Sequence, residues 1–355
     1  MRKFDVAKFD MVANGLDFEF TFRTQTSTFL MRKNILVTSA GRRVSLVKSL
    51  QKEVSLLIGN SHVFTTDMNP PLSAAGHVSD GCFKVPHVSD EDYIDNLLSV
   101  CLENDIGIVI PTIDTELLFL SEKREVFEQH DIAVIVSDKE LVSICRDKRL
   151  TNELFLQLGI SIPAPINRLA PTFPLFLKPY DGSLSRDIHV IQDQSELIAS
   201  MVGNEKLMFM EYLNPADFQE YTVDAYFNVD GMLKCLVPRN RLEVRGGEIS
   251  KGRTEKGELY DYLVEKFSSL PGARGCLTMQ FFVQHSNRKV VGIEINPRFG
   301  GGYPLTYAAG ANYSRYLIEE YLFKTAIPFF DSWKENYIML RYDDEIFLDG
   351  QSFIG

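Results

Sequence analysis

Three oxygen-bearing side chains have the spacing of a cation site. Glu294 and Asn296 sit two residues apart in an apolar run, Val290 to Ile295, within Gly-Ile-Glu-Ile-Asn-Pro-Arg-Phe-Gly-Gly-Gly, and Gln280 lies in an earlier apolar run, Leu277 to Val283. Residues i and i+2 of a strand share a face, so Glu294 and Asn296 point together. Antiparallel pairing through the turn at His285 to Lys289 would add Gln280 to that face. One carboxylate and two amide oxygens are hard donors of the kind Mg²⁺ takes, together with phosphate oxygens from a substrate. The competing reading is the solvated face of an edge strand. An acid and an amide followed by Pro297, Arg298 and three glycines fit that reading poorly.

Two lysines have settings suited to phosphate. Lys178 closes an apolar strand just before the Gly/Ser-rich stretch Asp181 to Arg186, whose backbone N–H groups can wrap phosphate oxygens. Lys148 stands at the start of a helix, where N–H groups also favour anions. The strand end Met210-Glu211-Tyr212-Leu213 can offer backbone groups to an adenine edge, with Glu220 nine residues after Glu211 as an acid for ribose hydroxyls. Pro238 to Thr254 carries Arg239, Arg241, Arg245, Lys251 and Arg253, a basic run suited to a substrate carboxylate or phosphate. Phe299 to Tyr303 is a glycine-rich approach to a helix whose N–H groups could hold an oxyanion.

The elements that would position these residues alternate. Asn34 to Thr38, Val63 to Asp67, Gly107 to Pro111 and Ala133 to Val136 read as strands of a doubly wound parallel sheet, with helices between them, including Asp90 to Glu103 and Glu116 to Gln129. Ligands of such sheets sit beyond the carboxyl ends of the strands, here Ser39, Gly41, Asp67 and Asp114. Ser39 to Arg43 has one glycine where a dinucleotide fingerprint needs three, which decides against NAD. From Ser137 the pattern continues with two helices, the strand Phe173 to Pro179, and a hairpin from Tyr221 to Val237 turning at Asp230-Gly231.

Composition sets the outer bounds. The 355 residues carry 37 Lys plus Arg against 48 Asp plus Glu, a net charge of −11 that disfavours nucleic acid as the main partner. No apolar run reaches the ~18 residues of a membrane span, so no membrane partner is expected. The five cysteines are scattered without a CxxC pair, as in a reduced cytoplasmic setting, and the six histidines lack metal-ligand spacing. Residues 1–30 read as an N-terminal extension peripheral to the fold.

Taken in order, these motifs resemble the ATP-grasp superfamily, most of all the carbamoyl-phosphate synthase large subunit and related carboxylate–amine ligases, over about residues 31 to 325. Asp67-Met68-Asn69 and Pro111 to Glu116 are similar to strand-end motifs of the sheet domain that precedes the nucleotide-binding part in that family. The resemblance implies an α/β protein. An N-terminal doubly wound, Rossmann-like sheet domain (31–136) would precede an ATP-grasp fold (137–330) with a mobile lid near 170–210, and a C-terminal segment (331–355) would pack on it. It implies ATP phosphates on Lys148 and Lys178, a lid loop over them that includes Ser183, adenine at Glu211, Tyr212 and Leu213, and ribose at Glu220. Gln280, Glu294 and Asn296 would hold Mg²⁺, with Mn²⁺ as an alternative. Many members carry an acid at the first metal position; the synthase branch tolerates the glutamine found here.

The implied activity is ligation of a small-molecule carboxylate to an amine through an acyl phosphate, with release of ADP and phosphate. Arg298, Lys178 and Arg241 would supply charge stabilisation. An ATP-binding regulatory protein and a small-molecule kinase are the alternatives. Carbamoyl-phosphate synthesis itself uses two ATP-grasp halves, and this chain has one. By analogy with related ligases, a homodimer is expected.

Overall fold

The computed structural model describes residues 32–182 and 187–350. The N-terminal extension and Ser183 lie outside the described residues. The first sheet follows from apolar β-branched runs that bury both faces. Its strands are β1 (Asn34–Val37), β2 (Val63–Asp67), β3 (Cys82–Lys84), β4 (Ile106–Ile110) and β5 (Ala133–Val134), all parallel, in the order β3-β2-β1-β4-β5. Every residue of β1 and β4 is buried. Between the strands lie α1 (Val44–Leu57), α2 (Ala74–Val78), α3 (Tyr93–Glu103) and α4 (Asp114–Glu128). Helix α1 buries Leu46, Val47, Leu50 and Val54, spaced so that they form one apolar stripe. The strand order reverses between β1 and β4, so their carboxyl ends form the crevice where doubly wound sheets bind ligands.

That crevice is pinned by one buried acid. Glu116 accepts from the Thr112 and Ile113 N–H groups (2.8 and 3.3 Å), from Ser39 Oγ (3.0 Å) and from Tyr93 Oη (3.1 Å). Thr112 Oγ1 also donates to the Thr38 and Ser39 carbonyls. The loops after β1 and β4 are thereby fixed to each other, which sets the position of Asp114.

Helices α5 (Lys139–Arg146) and α6 (Lys148–Gln157) lead into a small antiparallel sheet, β7-β6-β8, of β6 (Leu175–Pro179), β7 (His189–Ile191) and β8 (Leu207–Glu211), with α7 (Ala199–Gly203) before β8. Leu175, Leu177, Leu207 and Phe209 fill its core, and Lys178 alternates onto the opposite face. The large sheet is β13-β12-β9-β10-β11-β14: β9 (Phe218–Phe227), β10 (Leu233–Arg245), β11 (Glu248–Thr254), β12 (Gly275–Gln284), β13 (Val290–Asn296) and β14 (Ile338–Leu340). Helix α8 (Glu258–Lys266) lies between β11 and β12; α9 (Tyr303–Ala308) and α10 (Tyr313–Leu317) follow β13.

Period-2 alternation divides the large sheet into two faces. Tyr221, Val223, Leu277, Met279, Phe281 and Ile295 bury one face against Phe155 and Phe267. Gly292 permits this closeness, because a Cβ there would stand 2.7 Å from the Phe155 ring. The other face is apolar at one end, where Tyr226, Cys235, Val237 and Cys276 join the core beside the parallel sheet, and polar at the other, where it carries the candidate site. The C-terminal segment returns to the sheet: β14 pairs with β11, and Trp333, 3% exposed, packs edge-on against Tyr260.

Candidate nucleotide and metal site

The register of the large sheet brings the three oxygen donors together. Gln280 on β12 stands opposite Glu294 on β13, and Thr278 opposite Asn296. On its other side β12 places Gln280 against Thr222 and Phe282 against Glu220 of β9. The polar face therefore holds Glu220, Gln280, Glu294 and Asn296, as the i, i+2 reading requires. Their hydrogen bonds leave specific atoms over. Glu220 Oε1 accepts from Gln280 Nε2 and from Arg241 Nη1, and Glu294 Oε1 accepts from Asn296 Nδ2 at 3.0 Å. No protein donor meets Oε2 of either acid among the described residues. Burial raises the Glu220 carboxyl above its ordinary range; Arg241 and Gln280 oppose the rise, and the nearby Glu294 charge adds to it.

Lys178 reaches this face from the small sheet. It is 6% exposed, and its Nζ lies 3.5 Å from the Ile293 carbonyl, one residue from Glu294. Burial pulls its ammonium down to about 8, with Glu294 opposing and Lys148 adding to the fall. Lys148 opens α6, behind an Asp147 cap, and its Nζ donates to the Gly182 carbonyl at the entry to the Gly/Ser-rich loop. Lys178 thus stands at the end of β6 and Lys148 opens α6, as the sequence suggested, and Lys148 touches Gly182, the last described residue before the Gly/Ser-rich stretch. Glu211 ends β8, exchanging hydrogen bonds with Ala164 (2.8 and 3.2 Å). The Tyr212 and Leu213 backbone groups beyond it make none among the described residues.

Arg298 leaves the sheet and grips Asp114 at the β4 crevice with two parallel bonds, Nε to Oδ1 at 2.9 Å and Nη2 to Oδ2 at 2.5 Å. It lies 3.5 Å from Asn296 Oδ1. This link between the parallel sheet and the polar face spans 184 residues of sequence, and no local pattern announces it.

The basic run is different from its appearance in the sequence. Each of its cations meets a carboxylate: Arg239 with Asp224 (2.7 Å), Arg241 with Glu220, Arg245 with Asp343 (2.5 Å), Lys251 with Glu243 (2.6 Å) and Arg253 with Glu255 (3.0 Å). Pairing with acids neutralises the run, so it offers no open anion patch. Arg241 is 7% exposed and also donates to the Gly247 carbonyl at 2.8 Å, so its guanidinium holds Glu220 and a turn rather than facing outward. Arg239 is fully buried beneath the glycines, with a Cβ at Gly302 reaching to 1.6 Å from its Nη1. Asp224, which pairs with it, also accepts from Thr278 (3.1 Å) and Thr306 (2.6 Å). At Phe299 to Tyr303 the Gly301 carbonyl takes Arg341 and the Glu248 carboxylate stands beside Gly301, while the N–H groups of Phe299 to Gly302 make no hydrogen bond among the described residues. The interleaved Glu243, Glu248 and Glu255 were the available signal against an open basic patch.

Hard oxygen donors suit a divalent cation, and the face provides two carboxylate oxygens and two amide oxygens. Among the described residues, no group of three or more His, Cys, Asp or Glu side chains is gathered as a metal site on its own. No helix among them is long and apolar enough to cross a membrane, and all five cysteines are free.

Comparison with known proteins agrees with this geometry. Residues 35–135 match the PylC-like N-terminal domain family, and residues 203–335 match the family described as ATP-grasp in the biosynthetic pathway with Ter operon. No curated protein matches the sequence. Among solved structures, the biotin carboxylase domain of Hydrogenobacter thermophilus 2-oxoglutarate carboxylase, in complex with MgADP, ADP and bicarbonate, is similar with a TM-score of 0.67 at 16% identity, over 86% of this chain and 73% of that one. The N5-carboxyaminoimidazole synthetase of Staphylococcus aureus, complexed with ADP, has a TM-score of 0.62 at 14% identity, covering 87% and 80%. The L-amino acid ligase of Bacillus licheniformis has a TM-score of 0.61 at 15% identity, covering 82% and 74%. At these identities the likeness shows the fold. The chain thus carries a PylC-like N-terminal domain over residues 35–135 ahead of an ATP-grasp domain over residues 203–335.

Proposed function

We propose that the protein is an ADP-forming ligase that activates a small-molecule carboxylate with ATP and joins it to an amine. The observation that carries this reading is the polar face on which Glu294, Asn296, Gln280 and Glu220 meet the buried Lys178. Acid and amide oxygens facing a desolvated lysine suit a cation-bound polyphosphate.

Each residue takes a role from its position. Lys148 and Lys178 bind ATP phosphates, and Ser183, in the sequence just after Gly182, is a further phosphate contact. Glu211, Tyr212 and Leu213 meet adenine, the last two through free backbone groups, and the free Oε2 of Glu220 accepts from ribose. Glu294, Asn296 and Gln280 would hold Mg²⁺, or Mn²⁺ in its place, whose chemistry is to neutralise phosphate charge during transfer. Arg298, held by Asp114 beside Asn296, is aimed to stabilise the transferring phosphoryl group. Arg241 acts on Glu220 as a positioning residue.

The steps balance without a protein nucleophile. A carboxylate oxygen attacks the γ-phosphorus, the bond to the β,γ-bridging oxygen breaks, and ADP leaves with the electron pair. The amine then adds to the acyl phosphate, phosphate departs, and the amine loses a proton. Such transfer depends on positioning and electrostatic stabilisation, which the lysines and Arg298 supply. ATP consumption and five free cysteines fit a cytoplasmic protein. The homodimer remains an analogy with related ligases.

The test is ADP release from ATP and Mg²⁺ across a matrix of candidate acids and amines, amino acids forming both axes, with Glu294→Ala as the blank. Release that needs both partners and vanishes in the blank establishes the ligase. Release that needs only one partner makes it a kinase. Tight ATP binding without any release would overturn the ligase reading in favour of a binding protein.

A further inference from the structure

Three arginines from distant parts of the chain converge beside the site. Arg43 Nη2 donates to the Thr112 carbonyl at 3.4 Å, and Arg298 grips Asp114 two residues further on. Arg341, just past β14, donates to the carbonyl of Gly301, three residues after Arg298. Two carboxylates answer them. Asp114 is taken by Arg298 with both oxygens, and Glu248 by Arg341 at 2.7 Å. Arg43 has no carboxylate at ion-pair distance among the described residues, and the exposed Arg42 acts on Glu248 as well. With the buried Glu116 behind Thr112 counted as well, four guanidinium groups against three carboxylates leave 4 − 3 = +1 in this corner, in a chain whose net charge is −11.

Two further features fit an anion. Helix α1 begins at Val44, directly behind Arg43, with no side-chain cap and no acid in its first turn, so its N–H groups add to the positive potential. The corner also admits solvent: Arg298 and Arg341 are 14% and 27% exposed. Burial, and then Arg298, hold the Arg43 guanidinium down at about 10, with Glu248 and Asp114 opposing the fall. Arg341 lies beyond both matched family segments.

We infer that Arg43, Arg298 and Arg341 form a subsite for an oxyanion group of the ligase's second substrate, either a phosphate monoester or a carboxylate carried beside the reacting group. That the anion is part of a substrate rests on the ligase reading; that an anion binds there does not. Planar guanidinium groups from the parallel sheet, the polar face and the C-terminal segment would close on it together, so the substrate would be bound only when all three are in place.

The test is titration of the full chain, labelled with ¹⁵N-arginine, by inorganic phosphate and separately by succinate at constant ionic strength, following the arginine Nε–H resonances. Saturating shifts at Arg43 and Arg341 are expected with at least one probe, while Arg288, paired with Glu258 elsewhere, stays still. Phosphate alone identifies a phosphorylated substrate, and succinate alone a carboxylated one. Arg43→Gln should weaken that binding tenfold or more while ADP affinity stays within twofold of the parent; Arg341→Lys, which keeps the charge but loses the fork, should weaken it by less. Shifts that never saturate, or an Arg43→Gln protein that binds both probes like the parent, overturn the subsite. Loss of ADP binding by the parent would instead refute the ligase reading and leave the subsite standing.

Discussion

Gly302→Ala isolates one packing contact. Gly302 caps α9 with φ −91° and ψ −2°, a conformation alanine adopts freely, so the backbone itself adds no strain. The new Cβ would stand 1.6 Å from Arg239 Nη1 and 2.7 Å from Ile249 Cγ2. Nη1 is the end of a long side chain and could swing away in a solvated place. Here Arg239 and Asp224 are both 0% exposed and joined at 2.7 Å, so the guanidinium can move only by leaving its buried counter-ion. Stranding one partner of a buried pair costs about 3–5 kcal/mol. An unfolding entropy of ~2.1 cal/mol/K per residue gives about 0.7 kcal/mol per degree for a unit of this size, hence a fall in Tm of about 4–7 °C. Differential scanning fluorimetry reads this directly. Gly203→Ala is the control: Gly203 lies in α7 with nothing within 4 Å of its Cβ, so the parent Tm or a slight gain is expected there. A Gly302→Ala protein melting within about 1 °C of the parent would refute the reasoning, because the glycine loop would then have room to move away from Arg239.

Other residues give sharper functional outcomes. Arg298→Ala should lower kcat by about 10²–10³ with nucleotide affinity nearly unchanged, since Arg298 touches Asp114 and Asn296 rather than the lysines; undiminished turnover rejects its role. Lys178, held at about 8 against an ordinary 10.5, should lose ATP affinity as pH rises from 7 to 9, read as a rising Kd for ATP. Its effect on stability has the opposite sign: between about 8 and 10.5 the unfolded chain binds more protons, so stability gains with pH across that window. Lys178→Met should flatten both profiles, and persistence of either would assign it to another group. Glu116→Ala strips four donors of their acceptor, two of them backbone N–H groups. At about 1–3 kcal/mol for each buried orphan, it should lower the denaturant midpoint by the equivalent of 3 kcal/mol or more. A change below ~1 kcal/mol would mean that water replaces the carboxylate.

The parallel sheet was legible where a strand is an unbroken apolar run, as in β1 and β4, but β3, the short Cys-Phe-Lys, has no such run and was not among the expected strands. The Gln280, Glu294 and Asn296 face was legible because a period of two admits one arrangement within a hairpin. Lys178 was legible for a related reason, as a charge at the end of an apolar strand. Strand lengths were less so: β5 stops at Val134, where the Val136 N–H turns back onto the Val134 carbonyl. The partners of the arginines could not be read. Asp114 with Arg298 and Glu248 with Arg341 are joined across loops whose course no local pattern sets. Arg239 and Arg241 look like surface charge in sequence, yet the alternation of β10 turns both inward onto acids of β9. A charge count alone cannot separate a paired cation from a free one; only register does that.

The bond from Gln280 to Glu220 bears on the order in which ligands bind. An acid at position 280 would repel Glu220 and deepen the negative potential of the face, enough to attract a divalent cation from solution. The amide instead donates to Glu220, and Lys178 and Arg241 offset the charge that remains. Under the proposed function such a face would hold a free cation weakly and one already carried by phosphate oxygens well. Metal and nucleotide would then enter and leave as a single complex, and turnover would follow the concentration of MgATP rather than that of either component.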